Sequence, residues 1–369
     1  MPDTRAQAKR YNAIKIRLKL ADILFTVFYL ALFQILISLP LKTFASSLAP
    51  NFYSVLTIYL ILFSLFHYII NFPLHVYSTF ILERKFKLSN MGFLGWFKDD
   101  IKRGLLSLSI FLIFMQILYV FLRNFDKTWW IWIAIFWFAA TIILARITPI
   151  FLIPLFFKYY PVENSLKKKI IELSRICKIK ILDVYKIDLS KKTNKLNAAV
   201  VGLGKTRRVI LADNLVRDFN GEEIVGVLAH EFGHHKLAHM WKLIIFGFIS
   251  TFFSFYALYL VSRKLVIFLN AGNIYDIGIF PALLLVLFIT GFLTLPLQNG
   301  FSRRLEKKAD LFALKVTGNN PAFISLMKKL AEKNLADPNP PKLIKFLFYD
   351  HPPISERIKL AESLQRPPG

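Results

Sequence analysis

Residues 229–243 read Ala229-His230-Glu231-Phe232-Gly233-His234-His235-Lys236-Leu237-Ala238-His239-Met240-Trp241-Lys242-Leu243, a polar helix that runs straight into an apolar stretch. On a helix, His230 and His234 stand at i and i+4, so both imidazoles leave one face about a turn apart and can share one Zn²⁺. Glu231, beside the first histidine, is placed to take a proton from the attacking water. The pattern His-Glu-x-x-His also arises by chance in long helical chains, so its surroundings decide its meaning. Here the apolar stretch beginning near Trp241 is long enough to enter a bilayer, and the combination predicts a membrane-embedded zinc peptidase.

The rest of the chain agrees with a membrane setting. Of 369 residues, 55% are hydrophobic and 15% aromatic, which is the composition of a polytopic membrane protein. Candidate spans lie at residues 21–39, 53–72, 105–122, 129–155, 241–261 and 277–297. The expected fold is mainly α: a polytopic membrane helical bundle or barrel of about six spans, with a small cytosolic α+β insertion carrying a β-hairpin. Arg146, followed by Pro149 and Pro154, predicts that the fourth span packs on protein or lines a wet cavity there.

A net charge of +25 would suggest nucleic-acid binding in a soluble protein, but here its distribution follows the membrane. Arg5, Lys9, Arg10, Lys15, Arg17 and Lys19 precede the first span, and Arg84, Lys85, Lys87, Lys98, Lys102 and Arg103 lie between the second and third. The alternate connections are poor in basic residues. By the positive-inside rule both termini and the His-Glu-x-x-His segment are cytosolic in a multi-pass protein of the plasma or inner membrane, or of the endoplasmic reticulum in a eukaryote. No base-reading motif accompanies the charge, so nucleic acid is not an expected partner. The long basic lead predicts a retained anchor rather than a cleaved signal, and residues 366–369 carry no lipidation signal of their own. Cys177 is the only cysteine, which excludes an intramolecular disulfide and a thiolate-rich metal site.

Four regions are expected: four spans in 1–155, the cytosolic insertion 156–240 ending in the His-Glu-x-x-His helix, two spans in 241–300, and a cytosolic helical region 301–369. In the insertion, 164–178 has helical apolar spacing and 181–189 the character of a strand. Residues 197–202 and 207–211, around a Gly-containing loop, predict a hairpin. Glu222 and Glu223 then open the metal-binding helix, where its dipole favours acidic residues.

Catalytic zinc wants three protein ligands and an open position, so a third ligand must come from elsewhere. Glu306 is the best candidate, on a second polar helix, residues 301–317, leaving the membrane on the same side. Asp310 shares its face at i+4, suited to orienting a ligand imidazole, although both carboxylates also read as solvated charges among Arg303, Arg304, Lys307 and Lys308. His235 and His239 form a competing i, i+4 pair, but they lack the intervening Glu and lie about 100° round the helix, so they are expected to face solvent or the headgroup boundary. His351, before Pro352, reads either as a turn residue or as a donor to the reacting oxyanion. The strand Asn197, Ala198, Ala199 reads either as a plain hairpin or as an edge to which a peptide substrate adds as a further strand.

Together these residues resemble the integral-membrane zinc CAAX prenyl endopeptidases (type I) and their bacterial relatives, with heat-shock membrane zinc proteases as more distant kin. The similarity covers most of the chain. It is carried by residues 149–156, Asn197-Ala198 with Gly202, 208–211 with Asp213, 229–234, Ser302-Arg303 with Glu306 and Ala309-Asp310, and His351-Pro352-Pro353. The resemblance implies one zinc per chain on His230, His234 and Glu306, Glu231 as base, and a helical barrel around a large intramembrane chamber with the catalytic groups at its cytosolic side. His235 stands where that family usually has Trp. The expected function is a zinc metalloendopeptidase cleaving membrane-associated or lipidated peptides or proteins, with membrane lipid as its other partner. The alternatives are a general membrane-protein quality-control zinc protease, another hydrolase such as a deacetylase, or a non-catalytic metal-binding scaffold.

Overall fold

The computed structural model describes residues 2–364. Among these, six helical stretches are long and apolar enough to cross a membrane: Thr4–Leu36, Phe52–Lys85, Phe93–Asn124, Trp129–Phe156, His239–Phe268 and Ile277–Thr317. The first comprises α1 (Pro2–Leu36), followed by the short α2 (Ser38–Leu48). The second is α3 (Phe52–Val76) continued through a wide turn into α4 (Leu82–Lys85); α5 (Phe93–Asn124) is the third. The fourth joins α6 (Trp129–Ile147) to α7 (Ile153–Phe156) through another wide turn that holds Pro149. Arg146 is exposed one residue before α6 ends, so of the two expected settings, packing on protein or lining a wet cavity, the first does not hold.

Outward-facing Ile35, Ile267 and Leu293 mark the lipid side, whereas Phe33, Tyr59, Tyr119, Trp129 and Phe280 fill a shared interior. On the side where connections are poor in basic residues, polar groups pin the bundle. Ser38, fully buried, bonds the Tyr59 hydroxyl at 2.6 Å and the Gly278 carbonyl at 2.7 Å, and Lys42 meets Asp276 at 2.7 Å. An apolar cavity of about 410 Å³ opens among α5, α6 and the last two spans, with Trp137, Phe255 and Gln298 on its wall.

The insertion begins with β1 (Tyr159–Pro161), α8 (Asn164–Ile176) and β2 (Asp183–Ile187). The expected hairpin follows as β3 (Ala198–Val201) and β4 (Arg208–Ala212), turned at Gly202, whose φ of +93° and close approach to Thr206 leave no room for a side chain. The sheet runs β1-β2-β4-β3, with β2 parallel to β4 and the other pairs antiparallel, so β3 is an edge. After α9 (Asp213–Asp218), Asn220 caps α10 (Gly221–Lys236) by accepting from the Glu223 amide, and Glu223 reciprocates to the Asn220 amide.

Two expectations about helix continuity change. The metal-binding helix does not run on into the fifth span: it stops at Leu237, Ala238 takes a left-handed conformation (φ +55°), and a new helix, α11 (His239–Phe268), begins. Conversely, the sixth span and the polar helix after it are one continuous α12 (Phe280–Thr317), about 57 Å long at 1.5 Å per residue. Beyond it lie α13 (Asn320–Lys333), α14 (Lys342–Phe348) and α15 (Ile354–Ser363). The apolar faces of α8, α10, α13 and α15, the end of α12 and the sheet share one core containing Ile170, Val209, Phe232, Ala313, Leu326 and Ala361. That shared core fixes α12 against α10.

Candidate metal centre

His230 and His234 leave α10 on the face that meets α12. Contact is possible because Gly233 lies against Ala309: a Cβ at Gly233 would stand 3.3 Å from the Ala309 Cα and 3.1 Å from the Phe312 ring. With the helices that close, Glu306 reaches both imidazoles, at 3.3 Å from His230 Nε2 and 3.2 Å from His234 Nε2. The two Nε2 atoms are 3.1 Å apart. One ligand atom from each of the three lies within 4.8 Å of the others.

These spacings fit a tetrahedral zinc. With metal–ligand bonds of about 2.0–2.1 Å, tetrahedral ligand atoms stand about 3.3 Å apart. Glu306 is buried and its Oε2 has no hydrogen-bond partner among the described residues, a costly state that a cation would relieve. The three residues therefore form a chemically suitable divalent-metal site. Glu231 is half-buried on the same helix, and among the described residues no hydrogen bond or ion pair engages its carboxylate, which leaves it open to accept a proton.

Behind the ligands is a chain of orienting groups. Asp310, fully buried, accepts from His230 Nδ1 at 2.8 Å, which turns Nε2 toward the metal position. Burial disfavours a charge on His230, but the neighbouring Asp310 and Glu306 carboxylates outweigh it and push its pKa up to about 9. Asp310 is gripped in turn by Arg357, through Nε at 2.8 Å and through the neighbouring guanidinium nitrogen. Arg357 is absent from the expected set. Its signal was present: in α15 it falls on the apolar stripe with Ile354, Ile358 and Ala361, and a buried arginine requires a carboxylate.

His239 and His235 depart from their expected exposure. Because Ala238 breaks the helix, the pair is not on one cylinder, and the angular argument from a continuous helix fails. His239 is fully buried and its Nδ1 lies 3.2 Å from His234 Nδ1, so it holds the His234 ring as Asp310 holds that of His230. His235 is largely buried and bonds the Val200 carbonyl at 2.9 Å, and burial lowers its pKa.

His351 is brought to the site by the loop between α14 and α15, with Nε2 3.3 Å from Glu306 and Nδ1 2.9 Å from Asp350. Burial opposes its charged form, but the Asp350 hydrogen bond and the Glu306 charge hold its pKa above the ordinary histidine value. Asn197 is exposed at the start of β3. Its carbonyl accepts from the Ala212 amide, so by alternation Ala199 and Val201 bond to β4, the backbone groups of Ala198 face the open edge, and the outward Val200 carbonyl is taken by His235.

Comparison with known proteins matches this geometry to a family. Residues 162–365 match the model of peptidase family M48, and residues 2–158 match the model described as CAAX prenyl protease N-terminal, five membrane helices. In that stretch four helices of this chain are long and apolar enough to cross a membrane. The chain is 32% identical over 313 residues to CAAX prenyl protease 1 of Saccharomyces cerevisiae, covering 79% of this chain and 68% of that protein. It is 29% identical over 289 residues to an uncharacterized metalloprotease, YhfN, of Bacillus subtilis, covering 77% of this chain and 68% of that one. The crystal structure of S. mikatae Ste24p superposes with a TM-score of 0.86 at 26% identity, covering 98% of this chain and 89% of that one. With these relatives and a His-His-Glu cluster suited to a metal at the end of a membrane helix bundle, the chain belongs to peptidase family M48 and is a membrane metalloprotease of the CAAX prenyl protease family.

Proposed function

We propose that the chain is an endopeptidase using one zinc ion held by His230, His234 and Glu306, and that it cleaves membrane-associated peptides, lipidated ones included. The observation that carries this is the convergence of three potential ligand atoms within 4.8 Å beside Glu231, whose carboxylate has no partner among the described residues. Bound zinc would supply a Lewis acid for the scissile carbonyl. Glu231 takes a proton from the attacking water and returns it to the nitrogen of the leaving amine. His351, carrying a proton, donates toward the oxygen on which charge develops. Asp310 and His239 keep the two ligand rings in orientation.

The substrate backbone adds to the edge of β3, where the outward groups of Ala198 fix its register beside Asn197 and Ala199. Basic residues before the first span and after the second support a cytosolic active site and cytosolic termini. A general membrane-protein protease is the second reading, favoured by the similarity to YhfN, described simply as a metalloprotease.

The experiment measures hydrolysis of paired peptides, with and without an isoprenoid chain, below their critical micelle concentration. A lipid-directed enzyme shows kcat/KM raised roughly tenfold, about 1.4 kcal/mol, by the lipid. Equal rates leave the general protease. Absence of chelator-sensitive hydrolysis of either peptide would overturn both readings in favour of a scaffold.

A further inference from the structure

A second pocket, of about 890 Å³, lies on the far side of the Asp310–Arg357 pair from the metal ligands, between α12, α14 and α15. Its wall is apolar toward the membrane, where Phe246 stacks on Phe301 at 4.8 Å and Leu297 and Phe346 are exposed. The short helix α14 presents Leu343 and Phe346 outward, although it lies outside every span. Its carbonyls are clamped to the end of the sixth span: Asn299 donates to Leu347 and Arg303 to Lys345 and Tyr349. An amphipathic helix so fastened lies along the bilayer boundary.

The rim toward water is cationic. Arg303, Lys345 and Arg357 are engaged, with carbonyls, Glu356 and Asp310 respectively, and those two acids are thereby paired. Arg304, Lys307 and Lys359 are exposed on the rim, and among the described residues no ion pair or hydrogen bond engages them. Three unpaired cations beside an apolar wall at the bilayer boundary call for one kind of ligand, a phosphate that carries acyl chains.

We infer that this pocket seats an anionic phospholipid, its phosphate against Arg304, Lys307 and Lys359 and its chains along Phe246, Leu297 and Phe346. The lipid lies directly behind Arg357 and Asp310, so the wall that seats it also holds His230 in place. A free anion would use the cations but leave the apolar wall without purpose.

The test compares the full chain with Arg304→Gln/Lys307→Gln/Lys359→Gln in nanodiscs of equal phosphatidylglycerol and phosphatidylcholine content, reading retained lipid by native mass spectrometry. Wild type should retain phosphatidylglycerol over phosphatidylcholine by at least roughly tenfold, and the triple variant should lose the preference. A control, Arg17→Gln/Lys98→Gln/Lys102→Gln, removes three exposed cations elsewhere and should keep it. Lys307→Glu alone, a change at one exposed site that spares the fold, should cut the preference roughly fivefold or more. Equal losses in the control and rim variants would reduce the effect to diffuse surface charge and overturn the assignment. Displacement of the lipid by millimolar inorganic phosphate, or by a peptide with a free carboxylate, would overturn it in favour of a soluble anion or a substrate terminus.

Discussion

Arg357→Met removes a charge more than one contact away from the metal position, and its consequences can be worked out from burial. Asp310 is fully buried, and among the described residues its oxygens lie within ion-pair distance of Arg357 and His230 alone. Methionine keeps the stem of the side chain but leaves a buried carboxylate with half its compensation, at a cost of about 3–5 kcal/mol. The same carboxylate then holds His230 less well, and metal affinity should fall roughly 10–100-fold, about 1.4–2.7 kcal/mol. Asp310→Asn should be comparably destabilising, because it strands the guanidinium instead.

The double variant Asp310→Asn/Arg357→Met separates these two effects. It leaves no unpaired buried charge, so the thermal stability of the metal-free protein, read by the fluorescence of its 6 tryptophans in detergent, should recover most of the loss. Metal affinity, read by competition with a chromogenic chelator, should stay low, since an amide is a weaker acceptor for His230 Nδ1–H than a carboxylate. If the double variant is no more stable than either single one, the pair is not a unit. If Arg357→Met leaves both stability and metal affinity unchanged, the chain of orientation through Asp310 is refuted.

Glu231→Gln should retain metal at wild-type stoichiometry while turnover falls roughly 10²–10⁴-fold, as loss of a general base requires; unchanged turnover removes Glu231 from the mechanism. Glu306→Ala should lose the metal and His239→Ala should weaken it roughly tenfold, while His235→Ala leaves it bound; metal analysis after gel filtration ranks them, and a reversed order means that the wrong ligands are named. Ala198→Pro deletes an outward amide that β4 does not use, so the fold should persist while kcat/KM falls roughly two- to tenfold, the worth of one hydrogen bond; unaltered kinetics would place the substrate elsewhere. In a Cys177→Ser background, a reporter cysteine replacing Asn51 should react with an impermeant reagent added outside and one replacing Asn194 should not; the opposite result inverts the topology.

Much of this protein is local in its sequence. Apolar runs of span length can satisfy their backbone in lipid only as helices, so six spans follow from composition alone. The spacing of His230, Glu231 and His234 places two imidazoles on one helix face with a carboxylate beside the first, and the hairpin is written in two short apolar runs around Gly202. Other features depend on contacts between distant segments. The edge position of β3 required the strand order, since nothing in residues 197–211 says which side of β4 is left open. Glu306 reaches His230 and His234 because Gly233 lets α12 approach within contact of α10, and Arg357 meets Asp310 because α15 folds back over it.

His239 shows the limit most plainly. A single left-handed residue, Ala238, ended the helix, and alanine carries no mark of that conformation. With the helix broken, an imidazole assigned to solvent by a 3.6-residue period lies buried against His234 instead. Periodicity transmits orientation only as far as one element runs unbroken. Beyond that point, the packing of separate elements into one core decides which side chains meet.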